Sequence, residues 1–320
     1  MVKAPGPMSP QRPLVIVNPK AGGGFSERKT ARLIGAVSEG LGEVDLAFTE
    51  APRHATALAR AAALDGRALV VAFGGDGTVS EVVAGLLAAR EAADHPPATE
   101  LAIVPRGTGG DLRRTLELPH DIVEAARHAR ERPARTIDVG RAAFTTADGA
   151  RETRPFVNVA SFGFSSAVAA RANDSSKSFG PKVAFLGAVV RTLASYQNTE
   201  VSLEIDGAAP MRRKVMLGAL GNGKYFGGGM QICPDAKLDS GALSFVTVGD
   251  FSPAYTLTHI HRLFAGTHLS LPDVHASVVR AVRVSPIDPD ARIPVELDGE
   301  TPGFLPAAFE IVPAALRVRF

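Results

Sequence analysis

The sequence predicts two domains of different class: an N-terminal doubly wound α/β domain and a C-terminal antiparallel β-sandwich domain. Up to about residue 136, short apolar runs alternate with helical patterns, an order typical of a parallel sheet covered on both faces. Beyond that point, short β-rich runs are separated by turn dipeptides such as Asp206-Gly207 and Asp298-Gly299, which is typical of antiparallel strands. We therefore expect domains over residues 14–136 and 137–302.

The elements of the first half follow in chain order from apolar runs and helical stripes. Val79, Val82 and Leu86 recur at helical spacing, so their helix is expected to dock on the sheet. The predicted strands are 14–18, 44–49, 68–73 and 101–105, and the predicted helices are 26–41, 55–64, 78–89 and 122–130. Residues 1–13, which contain four prolines, are expected to form a disordered tail.

The elements of the second half are recognised from β-branched and aromatic residues between turn signals. The predicted strands are 156–160, 201–205, 215–221, 243–248, 278–284 and 294–297. One helix is expected near residues 181–196, and the segment 259–271 is too polar and too short to assign. This pattern is that of a sandwich with one helical interlude.

The composition is that of a globular protein, since 45% of the 320 residues are hydrophobic and 21% are charged. A net charge of +2 is too small to indicate nucleic acid as a partner. The sequence has neither a run of 18 apolar residues nor a signal-peptide run, so we expect no transmembrane segment and a cytoplasmic location. The one cysteine, Cys233, can form no intramolecular disulfide, and we expect it to be buried and inert.

Two glycine-rich segments, 74–78 and 107–111, each follow a predicted strand. Glycines let the backbone turn sharply and bring its N–H groups close to an anion, and the N-terminus of a following helix adds positive charge. Ligands of parallel sheets bind outside the carboxyl ends of the strands, where both segments lie. The sequence therefore predicts a phosphate-binding site with a nucleotide as its ligand.

Residues in and around the first of these segments have separate predicted roles. A carboxylate at Asp76, close to a phosphate, is unfavourable unless a metal or a transferable proton involves it, which favours a functional role over a turn. Thr78 and Glu81 fit a helix capping box in a helix that begins at Thr78. The loop 18–24 carries one cation, Lys20, but taken alone it is only a generous turn, since it is not a Walker A loop.

The order of the motifs is more specific than any one of them. Residues 17–23 read Val-Asn-Pro-Lys-Ala-Gly-Gly, 74–82 read Gly-Gly-Asp-Gly-Thr-Val-Ser-Glu-Val, 105–111 read Pro-Arg-Gly-Thr-Gly-Gly-Asp, and 297–300 read Leu-Asp-Gly-Glu. With these motifs, and with 221–223, 226–230 and 236–241 between them, the chain resembles the diacylglycerol kinase catalytic-domain family, which includes sphingosine, ceramide and bacterial lipid kinases. The resemblance spans nearly the whole chain.

The resemblance implies an ATP-dependent lipid kinase that uses Mg²⁺ and transfers the γ-phosphate of ATP to a lipid hydroxyl, with diacylglycerol as the expected acceptor. The residues that it implies around ATP are Asn18, Lys20, Thr49, Gly74, Gly75, Asp76, Gly77, Thr78, Gly107 and Thr108. It also implies that residues 303–320 return to the first domain. A lipid acceptor is compatible with a peripheral position on the inner face of the membrane, and a homodimer is compatible with the sequence but not required by it.

The Leu-Asp-Gly-Glu motif resembles the family's catalytic-base element and implies Glu300 as the proton acceptor, with Asp298 as its close rival. Asp76, in the glycine segment, is a further catalytic candidate because of its place beside the expected phosphate. Alternate residues of an extended segment point to one side, so Glu296, Asp298 and Glu300 are expected to share a face. Without the resemblance, the same pattern is an ordinary strand that ends in an Asp-Gly turn.

Three positions depart from the usual pattern of the family. Gly110 stands where asparagine is common, Ser240 stands where an aspartate precedes Gly241, and serine occurs at 165 and 166 where an acidic residue is frequent. The metal position that the resemblance implies consists of Asp239, Lys237 and Ala242, and a neutral serine beside it weakens it unless Asp239 takes over. Two alternatives therefore stay open: a small-molecule kinase of the NAD kinase type, and a nucleotide- or lipid-binding module with impaired catalysis.

Overall fold

The computed structural model describes residues 12–21, 27–106, 110–174 and 181–320. Contacts divide the chain into two units, of which the first comprises residues up to Ile137 together with Ala314–Phe320, and the second comprises Asp138–Pro313. Of the predicted tail, residues 1–11 lie outside the described residues.

The first unit is a parallel sheet with helices between its strands. In chain order its elements are β1 (Leu14–Val17), α1 (Glu27–Leu41), β2 (Asp45–Phe48), α2 (His54–Leu64), β3 (Leu69–Gly74), α3 (Asp76–Ala92), β4 (Glu100–Pro105), α4 (Asp111–Thr115) and α5 (Ile122–Glu131). The strands lie in the order β2-β1-β3-β4, and each adjacent pair is parallel. Every residue of β1 and β3 is buried, because apolar helix residues such as Val37 and Ala125 pack against strand residues such as Val17 and Phe73.

The second unit is built mainly from antiparallel strands. Its elements are β5 (Ala134–Thr145), which begins in the first unit, then β6 (Arg151–Phe156), β7 (Val159–Gly163), α6 (Phe164–Asp174), α7 (Pro181–Ser195), β8 (Thr199–Ile205), β9 (Met211–Val215), β10 (Leu217–Gly221), β11 (Leu243–Val248), α8 (Pro253–His259), α9 (His261–Ala265), β12 (Val274–Val279), β13 (Ala281–Pro286), β14 (Pro294–Leu297) and β15 (Glu300–Arg319). Two series of paired strands, β12-β11-β10-β7-β14-β15 and β9-β8-β13-β15, meet in β15, which also pairs with β5.

The strand β10 shows how this unit buries apolar residues on both faces of a sheet. Its Leu220 belongs to a cluster rich in phenylalanine, whereas the adjacent Ala219 belongs to a second cluster with residues of α6 and α7. Successive side chains of a strand point to opposite faces, so one strand serves both clusters. The fully buried phenylalanines of the first cluster are Phe144, Phe156, Phe162 and Phe309. The predicted fold class, parallel α/β followed by an antiparallel sandwich, is confirmed.

Three predicted strands are wrong in one respect, because each spans a corner between two strands. The prediction 156–160 crosses from β6 to β7, 215–221 crosses from β9 to β10, and 278–284 crosses from β12 to β13. At the first corner the backbone N–H groups of Val157 and Asn158 donate to the carboxylate of Asp298 instead of to a neighbouring strand. At the third corner the N–H of Arg280 donates to Asp206 in the same way. These acceptors are remote in sequence, so the apolar pattern runs through the corners without a signal.

The long strand β15 contributes to both units. Residues 307–310 pair antiparallel with β13, whereas Arg317–Arg319 pair parallel with β4 in the first unit. Residues 303–313 therefore belong to the sandwich, and the segment that completes the parallel sheet is shorter than the predicted 303–320. Arg317 and Arg319 both bind the carboxylate of Glu100, at 2.8 and 2.6 Å.

Cys233 is buried, as predicted, with 0% of its surface exposed. Burial raises the pKa of its thiol to about 12, although hydrogen bonds to Ser244 and Gly221 oppose the shift. The thiol is therefore protonated at neutral pH, in keeping with a packing role.

Candidate functional site

The glycine loop between β3 and α3 ends in a helix N-terminus that no side chain caps. The N-cap residue is Gly75, which has no side chain to cap the helix. Its carbonyl accepts from the N–H groups of Thr78 and Val79. The first N–H groups of a helix have no intrahelical partner, and the helix dipole makes this end positive. A Cβ at Gly74 would collide with the side chain of Thr78, and one at Gly75 would lie 3.3 Å from the Arg106 carbonyl oxygen. The glycines are therefore closely packed against Thr78 and Arg106, and the uncapped N–H groups at the start of α3 are suited to bind an anion.

The predicted capping box at Thr78 and Glu81 is wrong. The helix α3 begins at Asp76, two residues earlier, and buried Thr78 accepts a hydrogen bond from Asn18 Nδ2 at 3.2 Å. The carboxylate of Glu81 instead accepts from the backbone N–H groups of Arg53 and Ala55, at 3.0 and 3.1 Å, at the start of α2. Glu81 thus satisfies the free N–H groups of a neighbouring helix rather than those of its own.

The ends of β1 and β2 carry three more of the predicted ATP-binding residues. Asn18 follows β1, and its side-chain oxygen accepts from the backbone N–H of Lys20 at 2.9 Å. Lys20 itself is exposed. Thr49 follows β2, and its N–H donates to the Val17 carbonyl at 2.9 Å. Because β1, β2 and β3 are parallel neighbours, Asn18, Thr49 and the glycine loop all lie at one edge of the sheet. Gly107 and Thr108, also predicted here, lie outside the described residues.

Asp76 connects the first glycine segment to the second. Its carboxylate accepts from the N–H of Gly110 at 2.8 Å and more weakly from that of Asp111 at 3.4 Å. We expected this carboxylate to need a metal ion or a transferable proton, but in the structure it is engaged by backbone N–H groups at the start of α4. Asp76 holds the two segments together at the sheet edge.

Two arginines and one histidine at the same edge were missed by the sequence reasoning. Arg106, Arg113 and His120 line a small cavity together with Gly75 and Asp76. Burial lowers the pKa of Arg106, and it lowers that of Arg113 together with the nearby charge of Arg114, against the opposing effect of Asp76 and Asp111. The sequence did contain a signal for the two arginines. Arg106 is part of the second glycine motif, 105–111, and Arg113 lies two residues after it.

Gly110 lies directly against the side chain of Arg113. Gly110 has a φ of +66°, and a Cβ there would lie 3.2 Å from Nε of Arg113. Arg113 also donates from Nη1 to the Leu118 carbonyl at 2.9 Å, which fixes its direction. Where asparagine is common in the family, this chain therefore places a guanidinium group against the backbone.

In the second unit, Asp298 is engaged by the backbone. Its carboxylate accepts from the N–H groups of Val157, Asn158 and Val159, at 2.9, 2.9 and 3.1 Å. Asp298 and Gly299 have φ values of +48° and +92° and form the two-residue turn of the β14–β15 hairpin. The segment is therefore not extended, and the prediction that Glu296, Asp298 and Glu300 share one face is wrong.

The two glutamates on either side of this turn differ sharply in environment. Glu296 is 5% exposed; it accepts from the N–H of Gly299 at 2.8 Å and from the hydroxyl of Ser161. Ser161 also accepts from Ser165, at 2.9 Å, so serine at the position where an acid is frequent avoids a second buried negative charge. Glu300 is 60% exposed, and its carboxylate lies 3.8 Å from the guanidinium group of Arg154. Glu300 is the accessible carboxylate of the motif.

The predicted metal residues lie in one loop, supported by a buried polar network. Asn222 donates to the carbonyls of Asp138 and Val157, at 2.9 and 2.8 Å, and Asp138 accepts from the N–H of Gly241 at 2.6 Å. Ser240 donates to the carbonyl oxygens of Lys237 and Ala242, two of the three residues predicted to hold a cation. Across the described residues, no group of three or more His, Cys, Asp or Glu side chains is arranged to hold a metal ion. The ligands of this loop therefore do not fit Mg²⁺ well. The two carbonyl oxygens are neutral, and both already accept the hydroxyl proton of Ser240.

The first unit thus has an open glycine loop at one edge of a parallel sheet, and the second has an acidic hairpin turn between two antiparallel strands. Residues 12–142 match the model of the diacylglycerol kinase catalytic domain, and residues 158–320 match that of the YegS C-terminal NAD kinase beta sandwich-like domain. The chain therefore belongs to the diacylglycerol kinase catalytic-domain family, with a YegS-like C-terminal domain, and the resemblance seen in the sequence is confirmed. The family is one of lipid kinases that use ATP.

Individual relatives agree with this assignment over almost the whole chain. The chain is 28% identical over 300 residues to the diacylglycerol kinase of Staphylococcus carnosus, a match that covers 93% of this chain and 92% of the relative. It is also 28% identical to the diacylglycerol kinase of Bacillus subtilis, with 93% of both chains covered. A crystal structure of a diacylglycerol kinase from Bacillus anthracis is similar with a TM-score of 0.69 at 23% identity, over 97% of each chain, which shows the shared fold.

Within the described part of the chain, no helix is both long and apolar enough to cross a bilayer.

Proposed function

We propose that this protein is an ATP-dependent lipid kinase that transfers the γ-phosphate of ATP to the hydroxyl group of diacylglycerol. The observation that carries the proposal is the different environment of the two carboxylates in the Asp-Gly-Glu turn. Backbone N–H groups bind the carboxylate of Asp298, while the side chain of Glu300 is 60% exposed. An exposed carboxylate can accept a proton, whereas one whose oxygens already accept several hydrogen bonds is a poorer base. Family membership supplies the reaction class in which such a base is used.

In this proposal the first unit holds the nucleotide. The N–H groups at the start of α3 and the adjacent Gly75 contact the phosphates, with Asn18 and Thr49 at the neighbouring strand ends. Arg106 and Arg113 add positive charge at the same edge. Mg²⁺ carried with ATP would neutralise part of the phosphate charge. The chain itself supplies orientation and charge, which are the main protein contributions to phosphoryl transfer.

Glu300 is the proposed proton acceptor in the second unit. As the lipid hydroxyl oxygen forms its bond to the γ-phosphorus, its proton passes to the Glu300 carboxylate, and the bond from phosphorus to the leaving oxygen of ADP breaks. The Asp298 turn fixes the backbone from which Glu300 projects, and the contact with Arg154 limits the directions of its side chain. Asp298 is in this view a positioning residue.

The test is transfer of labelled γ-phosphate from ATP to diacylglycerol, ceramide, sphingosine and phosphatidylglycerol in mixed micelles, with NAD as a soluble acceptor in a parallel reaction. Label on diacylglycerol that is lost in Glu300→Gln is the expected result. The matched control is Glu310→Gln, because Glu310 is another exposed glutamate of β15, 3.6 Å from Arg141. Label on NAD alone would establish the NAD kinase alternative, and ATP binding without label on any acceptor would favour a binding module.

A further inference from the structure

The loop 237–242, in which the resemblance implies a cation, has the hydroxyl group of Ser240 between two backbone carbonyl oxygens. The hydroxyl oxygen of Ser240 lies 3.1 Å from the Lys237 carbonyl oxygen and 3.0 Å from that of Ala242. A serine hydroxyl has one proton to donate, so the two carbonyl oxygens share it. We infer that this hydroxyl takes the place of a metal ion, and that the loop of this chain is complete without a divalent cation.

The charges around the loop support this inference. Carbonyl and hydroxyl oxygens are neutral ligands, and a divalent cation of Mg²⁺ size is usually held with the help of at least one carboxylate. The buried carboxylate of Asp138, which contacts the loop, already accepts from the N–H of Gly241 at 2.6 Å. The side chain of Asp239 is exposed, so a cation recruited by it would have to compete with water. Nothing in this donor set compensates the cost of removing the water shell of Mg²⁺.

The chemistry of aspartate explains why serine can close the loop alone. An ionised aspartate only accepts hydrogen bonds, so at position 240 it would face the Lys237 and Ala242 carbonyl oxygens without a proton to offer. A cation between them would remove that repulsion, which makes an aspartate in this place dependent on metal. Serine supplies the missing proton itself. The substitution noted in the sequence is therefore a change in what holds the loop, and not a weakened metal site.

The loop matters because its support reaches the Asp-Gly turn. Gly241 is held by Asp138, whose carbonyl accepts from Asn222 at 2.9 Å. Asn222 also donates to the carbonyl of Val157, whose own N–H donates to Asp298. A loop that keeps its shape without metal thus keeps a continuous set of hydrogen bonds up to the turn before Glu300.

The inference is tested by thermal unfolding of the full chain without nucleotide, in EDTA and in Mg²⁺ at constant ionic strength. The wild type is expected to show the same Tm in both. Ser240→Asp is expected to unfold at a lower Tm than the wild type in EDTA and to recover by several degrees in Mg²⁺, because a ligand that binds only the folded state raises its stability. The matched control is Ser270→Asp, which places the same charge on an exposed serine that donates to a single carbonyl, that of Thr267. It should not respond to Mg²⁺.

A rise in the Tm of the wild type with Mg²⁺ that Asp239→Asn abolishes would show that a cation does bind this loop, and the inference would be overturned. This comparison uses only the wild type and an exposed-residue variant, so it decides the question even if Ser240→Asp does not fold. Because the readout is stability without ATP, failure here leaves the proposed kinase reaction untouched, and failure of the kinase assay leaves this result untouched.

Discussion

The glycine loop of the first unit and the Asp-Gly turn of the second are both shaped by a half-buried aspartate, but they expose groups of opposite charge. In both, an aspartate is engaged by backbone N–H groups: Asp76 by Gly110 and Asp111, and Asp298 by Val157, Asn158 and Val159. In the first unit this leaves helix N–H groups open to an anion, and in the second it leaves a carboxylate, Glu300, open to a proton. The comparison suggests that the aspartates shape the two motifs and that their neighbours meet the reactants.

The largest effect is expected for Glu300→Gln. An amide cannot accept the proton, so turnover should fall by about 10²-fold or more. The Tm and the affinity for ATP should stay close to those of the wild type, since an exposed ion pair contributes about 0–1 kcal/mol to stability. Steady-state kinetics, ATP-binding titration and thermal unfolding measure the three quantities. Near-normal turnover would transfer the role of base to Asp298 or to another group and break the comparison.

Asp298→Ala is expected to act mainly on stability. It removes the acceptor of three backbone N–H groups, and each poorly satisfied group is unfavourable, so we expect a loss of about 2–4 kcal/mol in the free energy of unfolding. Asp298→Asn keeps one acceptor oxygen and should lose less. Urea unfolding of both variants gives the comparison. If Asp298→Asn instead abolished turnover at nearly unchanged stability, Asp298 would be the base rather than a positioning residue.

Gly74→Ala probes the packing of the glycine loop. The added methyl group would meet the side chain of Thr78, and overpacking of this kind is expected to lower stability by about 1–3 kcal/mol and to weaken ATP binding by moving the loop. Gly35→Ala in α1 is the matched control, because no atom lies within 4 Å of a Cβ built there. An alanine at 74 with normal ATP affinity would show that the loop geometry is not needed for the nucleotide.

The smallest effect is expected for Asp76→Asn. The amide oxygen can still accept from the N–H of Gly110, now 2.8 Å from the carboxylate, so we expect a loss of only about 0.5–1.5 kcal/mol in stability and a modest change in turnover. Chemical unfolding and initial-rate kinetics on one preparation measure both. A complete loss of turnover, with stability and ATP affinity preserved, would return Asp76 to the catalytic role predicted from the sequence.

The sequence predicted the first unit better than the second for a physical reason. Strands buried on both faces and amphipathic helices are continuous local patterns, as in β3 and α5. The corners of the sandwich depend instead on partners far along the chain, such as Asp298 for Val157 and Asp206 for Arg280, which no local pattern reveals. The five-residue helix α4 was also missed, since it is too short for a periodic signal.

The candidate site could be predicted to the level of its motifs but not of its contacts. The glycine segments and the Asp-Gly-Glu element stand out by composition and spacing. That Glu81 caps α2 rather than α3, and that Gly110 makes room for Arg113, depends on distances that only the folded chain defines. Ser240 was read as a weakened ligand because the carbonyl oxygens around its hydroxyl cannot be located from sequence.

The pairing of β15 with β4 also dictates an order of events during synthesis on the ribosome. Residues 138–313 are made before the segment that covers the outer edge of β4 becomes available. Until then, the nascent parallel sheet presents an unpaired edge strand, a known template for association with other chains. Glu100 meanwhile lacks both of its arginine partners, Arg317 and Arg319. A shortened chain that stops before Ala314 would keep this edge open permanently, and we expect it to aggregate even though most of the first unit has been made.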